Sequence, residues 1–376
     1  MIHYFNPGHE AAVLNGSKHY QAPANHVRIQ HDLAFLPAWY AAPDDFVLVH
    51  EPLPADFEKE IGQGLATAIP ISELASYTTL LANQTVDIWG ISPQSCRFLE
   101  QLSAQYRLNW TVPKWKDEYR TLGSRQTAQR VLSHLIENFP EIDKTLVPQF
   151  ITNLDEIEQI MEKTTHKMLV KAPHSSSGNG LVWLPAGKLA QSERQILKGM
   201  LRKQSAVSLE KALDKRLDFS MHFEITAAHA APSTNFIGYS LFQTNAKGAY
   251  EKSLILAQGA IEKQLSELIP ITVLDTVKHQ LQQIINEIYA PHYQGNIGVD
   301  MLIYLDDNEL KLHPCVEINM RKSMGYLALR LFERFRSGEL HVSYQLPIIN
   351  YQLPVAGCQF LCPVTENSCF QAYFVF

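Results

Sequence analysis

Towards the end of the chain, Cys315-Val-Glu-Ile-Asn-Met-Arg321 alternates in period two. An extended strand sorts such a run cleanly, because successive side chains of a strand point to opposite faces. The expected strand puts Cys315, Glu317, Asn319 and Arg321 on one face and Val316, Ile318 and Met320 on the other. The apolar face packs into a core, while the other gathers a carboxylate, an amide and a guanidinium. Such a set offers oxygen ligands to a hard cation and a fixed positive charge to a phosphate. A half-buried strand with its polar face in water accounts for the same alternation, so the rest of the chain has to decide.

A second strand is expected at residues 299–304, after the turn Gln294-Gly-Asn-Ile-Gly298, with Asp300 near its start. Asp306-Asp-Asn-Glu309 reads as the tip of a hairpin whose return strand delivers Glu317 and Asn319 opposite Asp300. Paired carboxylates without a metal would repel. Three oxygen ligands on two neighbouring strands suit Mg²⁺, which keeps several waters and takes its other ligands from phosphates.

At 376 residues the chain is too long for one small core and suits two or three packed subdomains. Its 46% hydrophobic and 19% charged residues are ordinary for a soluble globular protein. A net charge of -6 without a long Lys or Arg run argues against a general nucleic-acid or acidic-membrane surface. The opening Met1-Ile-His-Tyr lacks the features of a signal peptide, and no apolar segment approaches 18 residues, so a cytoplasmic location is expected. Five cysteines, an odd number, read as reduced thiols; Cys358, Cys362 and Cys369 cluster without the usual zinc spacing.

Short β-rich runs at residues 2–5, 46–50 and 86–91, with a helix at 93–106, predict an N-terminal α/β layer up to residue 118. No Gly-x-Gly-x-x-Gly follows its first strand. Instead the strand breaks into Asn6-Pro-Gly-His-Glu10, where His9 and Glu10 either line a pocket at a strand end or form an ordinary turn. From residue 119 the pattern changes. Ser124 caps a helix at 125–137, and an α+β unit follows: strands at 146–151, 167–171 and 206–210, and helices at 155–162 and 188–202.

Lys171 precedes the loop Ala172-Pro-His-Ser-Ser-Ser-Gly-Asn-Gly180, in which Ser176, Ser177 and Gly178 can present backbone N–H groups to phosphate oxygens. A serine-rich hairpin turn is the plainer reading. Glu210-Lys211-Ala-Leu213 leads into Asp214-Lys-Arg-Leu-Asp218, which reads as a hinge between subdomains, with strands at 219–226 and 236–243 beyond it and a helix at 271–289.

Taken in order, Arg125, Lys171 with its Ser/Gly loop, Glu-Lys-x-Leu at the hinge, Gly-Val-Asp300 and Glu317-x-Asn-x-Arg321 resemble the ATP-grasp superfamily over residues 124–331. The resemblance implies an α/β fold of α+β subdomains: an ATP-grasp fold preceded by an N-terminal α/β pre-ATP-grasp domain at 1–118. The linker helix and lid subdomain would occupy 119–210, and the metal-bearing subdomain with its C-terminal extension 211–376. It implies ATP contacts from Arg125, which stands where the family usually has Lys, and from Lys171, Ser176, Ser177 and Gly178. Adenine and ribose contacts would come from Glu210, Lys211, Leu213 and Asp218, and Mg²⁺ ligands from Asp300, Glu317 and Asn319. Arg321 takes the place of the arginine that steadies the transferred phosphate.

The expected activity is that of a ligase using ATP and Mg²⁺ to convert a carboxylate into an acyl phosphate for attack by an amine or another nucleophile. Its partners are then small-molecule carboxylate and amine substrates, with no nucleic acid and no membrane, and a homodimer is the fold-level expectation. A kinase on the same fold and a nucleotide-binding regulatory protein are the alternatives. The four residues Asp300, Glu317, Asn319 and Arg321 together speak against the last, since binding alone needs fewer. Lys247, Tyr250, Arg321 and Lys322 are positions where an anionic substrate can be met.

Overall fold

In the computed structural model, the strand expected to reach Arg321 runs over Glu309–Asn319 and stops two residues short of it. Beyond Asn319 the backbone leaves the ladder. The N–H of Lys322 donates to Trp89 O at 3.0 Å, and Ser323 caps the helix Met324–Phe335 by accepting from the N–H of Tyr326 at 3.3 Å. Arg321 therefore cannot share a strand face with Glu317 and Asn319. The structure describes residues 1–175, 178, 180–227, 232–246, 248–344 and 357–376.

The chain forms two units. The first comprises Met1–Asp117, Glu251–Ala257 and Arg321–Phe376; the second comprises Glu118–Tyr250 and Gln258–Met320. The strands in chain order are β1 (Ile2–Tyr4), β2 (Phe46–Val49), β3 (Thr67–Pro70), β4 (Val86–Ile88), β5 (Gln149–Ile151), β6 (Met168–Lys171), β7 (Leu181–Leu184) and β8 (Val207–Lys211). They continue with β9 (Asp214–Thr226), β10 (Ser233–Thr244), β11 (Tyr250–Ile255), β12 (Gly295–Asp306), β13 (Glu309–Asn319), β14 (Gly338–Tyr344), β15 (Cys358–Phe360) and β16 (Phe370–Val375).

In the first unit, β1 to β4 form a parallel sheet in the order β3-β2-β1-β4. The chain steps outward from β1 to β2 and β3, then returns to the other side of β1 for β4. The gap between β1 and β4 is thus the point of strand-order reversal, where open α/β sheets bind ligands at their carboxyl ends. Asn6–Glu10 follows β1 and Trp89–Gly90 follows β4. The helix His9–Asn15 starts inside the motif read as a turn, because Pro7-Gly8 alone makes the reversal. The antiparallel strands β14, β15 and β16, with β11 paired to β14, complete this unit. Its core joins Phe5, Leu36, Trp39 and Trp89 to Leu327, Leu331 and Phe374.

The second unit holds two antiparallel layers. β5-β8-β6-β7 is covered by the helices Leu154–Lys163 and Gln191–Gln204, with Ile157, Met161, Val170, Leu197 and Val207 between them. The other layer has the order β13-β12-β9-β10. Against it packs the helix Ile271–Ile288, whose buried Leu274, Val277, Leu281, Ile284 and Ile285 recur at helical spacing.

Several boundaries differ from the sequence reading. Residues 144–146 form a 3-10 turn, which confines the expected strand at 146–151 to β5. β12 starts at Gly295, inside the predicted turn, because Gly295 to Gly298 pair with Ile225 to His222 of β9. β9 starts at Asp214, so the charged run 214–217 is strand, and only Ala212 and Leu213 separate β8 from β9. β12 is long enough to pair with that run, Asp214 opposite Leu305, and this pairing overrides its loop-like composition. Among the described residues no helix is long and apolar enough to cross a membrane.

Candidate active site

The expected hairpin between Asp300 and Glu317 is present. Asp307 and Asn308 both take positive φ, at 49° and 66°, as a two-residue hairpin turn requires. Asp306 then faces Glu309, and Asp300 faces Glu317. A register shift between Asp300 and Leu302 lies between these pairs: Leu302 faces His313, so β13 carries extra residues opposite Met301. Without that bulge Glu317 would not meet Asp300.

The two faces of this layer differ sharply. Phe219, Met221 and Phe223 of β9, Val299, Met301 and Ile303 of β12, and Tyr239 and Leu241 of β10 are at most 1% exposed. The intervening positions carry Asp218, Ser220 and His222 on β9, Ser240 on β10, Gly298 and Asp300 on β12, and Glu317 and Asn319 on β13. The polar alternation read in β13 thus extends across three neighbouring strands.

Within this face Asp300 Oδ2 accepts from Asn319 Nδ2 at 2.9 Å, and Oδ1 accepts from Ser220 Oγ at 2.6 Å. Glu317 Oε2 accepts from Arg125 Nη2 at 2.6 Å. Two carboxylates directly opposite on adjacent strands repel, and these donors offset that repulsion. Arg125 is the first residue of the helix Arg125–Asn138, whose cap is Ser124 Oγ accepting from the N–H of Gln126. Its Nη1 donates to Ala172 O at 2.7 Å and to Ser175 Oγ at 2.6 Å. One buried guanidinium therefore ties the loop after Lys171 to Glu317. Its Nε is buried without a hydrogen-bond partner.

Lys171, at the end of β6, is 6% exposed and ion-paired with Glu210 of β8. His313 is buried beside it; burial first, and the Lys171 charge second, push the imidazole down to about 3. Its Nδ1 has no hydrogen-bond partner. His222, also buried, is pushed to about 3 by burial alone, and its Nε2 lies 2.8 Å from Ser240 Oγ. Gly178 has φ 76°, and a Cβ there would lie 2.8 Å from the backbone nitrogen of Ala249, so Gly178 lies directly against the backbone of Gly248 and Ala249. Ser176, Ser177 and Lys247 lie outside the described residues.

The structure thus joins Arg125 to Glu317, Asp300 to Asn319, and Lys171 to Glu210. It does not gather every expected residue. Lys211 reaches Asp306 at the hairpin tip, at 3.1 Å, and Asp218 pairs with Lys215 and accepts from Thr244 Oγ1 at 3.0 Å. Leu213 is half-buried between β8 and β9. Cys315 is buried and gives its thiol to Ala128 O, with burial holding its pKa above the usual thiol range. Arg321 lies in the first unit, where its Nε donates to Glu10 Oε1 at 2.5 Å.

Ser220, His222 and His313 were missed by sequence reasoning. Ser220 carries no motif and is found only through the pairing of β9 with β12. His313 sits just before the alternating run, and its burial is invisible without the fold.

Among the described residues, no three His, Cys, Asp or Glu side chains converge as a metal cage. The donor set in question is two carboxylates and one amide, all hard oxygen donors on two paired strands. That chemistry fits Mg²⁺, which is commonly held by one or two carboxylates together with waters and phosphate oxygens.

Comparison with solved structures matches the chain over 100% of its length, and 86% of the other chain, to the biotin carboxylase of Campylobacter jejuni in its beta-gamma-ATP complex, with a TM-score of 0.54 and 9% identity. The chain has the ATP-grasp fold. Looser matches to this fold include the N5-carboxyaminoimidazole synthetase of Staphylococcus aureus complexed with ADP (TM-score 0.47, 13% identity, 99% of this chain and 91% of that one). Another is the N5-carboxyaminoimidazole ribonucleotide synthetase of Thermus thermophilus (TM-score 0.47, 13% identity, 100% and 94%). No protein-family model and no curated protein matches the chain.

Proposed function

We propose that this chain is a Mg-ATP-dependent ligase that activates a carboxylate as an acyl phosphate and passes the acyl group to an amine. The observation that carries the reading is the cross-strand pair Asp300–Glu317 with Asn319 beside it, on an ATP-grasp fold matched to an ATP complex of biotin carboxylase. Asp300, Glu317 and Asn319 would hold Mg²⁺, which when bound neutralises charge on the phosphates. Lys171 supplies a point charge for phosphate oxygens, and its ion pair with Glu210 keeps that ammonium oriented. Arg125 holds Glu317 against the loop after Lys171, so that ligand strand and loop are positioned together.

In the reaction a carboxylate oxygen of the substrate bonds to the γ-phosphorus as the bond to ADP breaks. The amine then attacks the acyl carbon, loses a proton and expels inorganic phosphate. The neutral, buried imidazole of His313 adds no positive charge beside Lys171. Arg321 is assigned to the transferred phosphoryl group. Residues 119–210 serve as linker helix and lid in this reading, and residues 211–376 as the metal-bearing part with its C-terminal extension, of which Arg321–Phe376 fold with the first unit. Five free thiols accord with a cytoplasmic location, and a homodimer belongs to the same proposal.

Phosphorus NMR of the protein with Mg-ATP and pooled carboxylates and amines tests the reading, run beside Glu317→Gln. ADP and free phosphate that require both a carboxylate and an amine, and vanish in the variant, are expected. A new phosphorylated product in place of free phosphate would instead establish a kinase. Sedimentation velocity checks the dimer.

A further inference from the structure

The polar face of the second unit does not end at Asp300 and Glu317. Along β12, Ile297, Val299 and Met301 lie in the core at no more than 1% exposure, so by alternation Asn296, Gly298 and Asp300 share the other face. The pairing of β9 with β12 extends that face: Asp218 stands opposite Leu302, Ser220 opposite Asp300, His222 opposite Gly298 and Glu224 opposite Asn296. Successive rows stand about 7 Å apart, two residues of an extended chain. The rows of His222 and Glu224 are not used by the chemistry above.

In the last of these rows a donor and an acceptor face each other and leave each other unsatisfied. Asn296 is 5% exposed, and its Nδ2 is buried without a hydrogen-bond partner. Glu224, half-buried on the neighbouring strand, has no hydrogen bond or ion pair among the described residues. Asn235, on the other side of Glu224, accepts from Ser233 Oγ at 3.5 Å instead. A buried amide without a partner costs stability, so a row kept in this state suits a ligand that completes it. The row between it and Asp300 is nearly bare. Gly298 has no side chain, and a Cβ there would lie 3.3 Å from the His222 ring. Burial pushes that imidazole to about 3, so it is neutral and sets no positive charge beside Glu224.

The order of the rows also has a direction. Leu213 and Asp218, assigned to adenine and ribose, come before Ser220 along the chain, and Ser220 lies in the row of the metal ligands. A nucleotide laid along β9 in that sense brings its γ-phosphate to Asp300 and Glu317, and the rows of Gly298 and Asn296 continue past it. We propose that Glu224 and Asn296 seat the amine substrate, Glu224 taking its ammonium group and Asn296 Nδ2 donating to an oxygen on the same molecule, which makes the acceptor an amino acid or an amino alcohol. The inference rests on the ligase reading. The bare row at Gly298 leaves the acyl carbon its place between phosphate and amine. As the nucleophile forms, one ammonium proton passes to the Glu224 carboxylate. The nitrogen then bonds to the acyl carbon, the bond from that carbon to the phosphate oxygen breaks, and the second proton leaves with inorganic phosphate.

The first test needs no turnover. Calorimetric titration of the full chain, with and without Mg-ADP, uses ethanolamine and each proteinogenic amino acid in turn as probes. At least one should bind, and Glu224→Gln and Asn296→Leu should each weaken it at least tenfold. Because Asn296→Leu removes an unpartnered buried amide, its Tm should not fall below that of wild type, which a structural role for Asn296 would require. Binding by none of these compounds, or binding within twofold of wild type in Glu224→Gln, overturns the proposal. If Asn296→Leu does not fold, Glu224→Gln alone decides.

The second test separates the amine seat from the ligase reading. With Mg-ATP and pooled carboxylates, hydroxylamine, a small nucleophile uncharged near neutral pH, traps an acyl phosphate as a hydroxamate. Glu224→Gln should lower amide formation from the amine found by titration at least tenfold relative to hydroxamate formation by the same variant. An unchanged ratio overturns the proposal. If the wild-type chain makes no hydroxamate while the titration results hold, the ligase reading falls and the seat at Glu224 and Asn296 stands as a binding site.

Discussion

The charged side chains of the second unit hang from a ladder, whereas those of the first hang mostly from strand ends and loops. On the ladder, Asp300, Glu317, Asn319 and Ser220 meet because the register of β9, β12 and β13 puts them in adjoining rows. In the first unit Glu10, Gly90 and Arg321 meet because short parallel strands end side by side and the chain returns there after residue 320. Buried polar atoms without hydrogen-bond partners occur in both: Arg125 Nε and His313 Nδ1 beside the ladder, His9 Nδ1 and Glu10 Oε2 in the first unit. In the first unit the chain Lys322–Asp87–His3–Asp45 is closed, Asp87 meeting two partners and Asp45 three. An open set beside Lys171 suits a ligand that completes it, and a closed one suits a scaffold.

Acid should separate the two units most strongly. His222 and His313 have folded pKa values of about 3, below the ordinary 6.5. Between those values the unfolded chain binds protons that the folded chain does not, so stability falls as pH drops from 6.5 towards 3. The slope reaches about 1.4 kcal/mol per pH unit for each histidine. The first unit carries the same effect more weakly in His50, brought to about 4 by burial and then by His31, and its Asp87 is opposite in kind. Burial alone would raise it, but Lys322 and then His3 bring it from 3.8 to about 2, so its contribution is complete above 3.8 and is lost only as pH falls through about 2. Hydrogen exchange against pH should therefore show the second unit opening first, and His222→Gln with His313→Gln should flatten its dependence. Simultaneous opening of both units would break the comparison.

Glu317→Ala should cost about 3 kcal/mol in urea unfolding, because it leaves the Arg125 guanidinium buried without its carboxylate. Glu317→Ala combined with Arg125→Met should recover much of that loss; if it does not, the pair is not what fixes this corner. In the first unit Gly90→Ala should cost about 2 kcal/mol, since its Cβ must displace the His9 ring. The smallest effect belongs to Gly298→Ala, whose Cβ would lie 3.3 Å from the His222 ring: about 1 kcal/mol or less, read as a shift of a few degrees in Tm. A larger loss at Gly298 than at Gly90 would reverse the view that the loop network is the tighter of the two.

Much of the ladder was legible in the sequence. Period-two alternation sorts Glu317 and Asn319 from Ile318, Asp307-Asn308 marks the hairpin turn, and Ser124 marks the start of a helix, all through local rules of backbone and side-chain direction. Those rules extend only a few residues. They could not show that β13 ends at Asn319, because what draws Arg321 and Lys322 off the strand is the carbonyl of Trp89 and the carboxylates of Glu10 and Asp87, hundreds of positions away. They could not place Ser220 against Asp300, since a serine in a strand carries no signal until its neighbour is known. Residue type and spacing determined which groups were on offer and which way each strand would face them. Tertiary pairing decided which groups meet, because register, bulges and burial are set by partners distant in the chain.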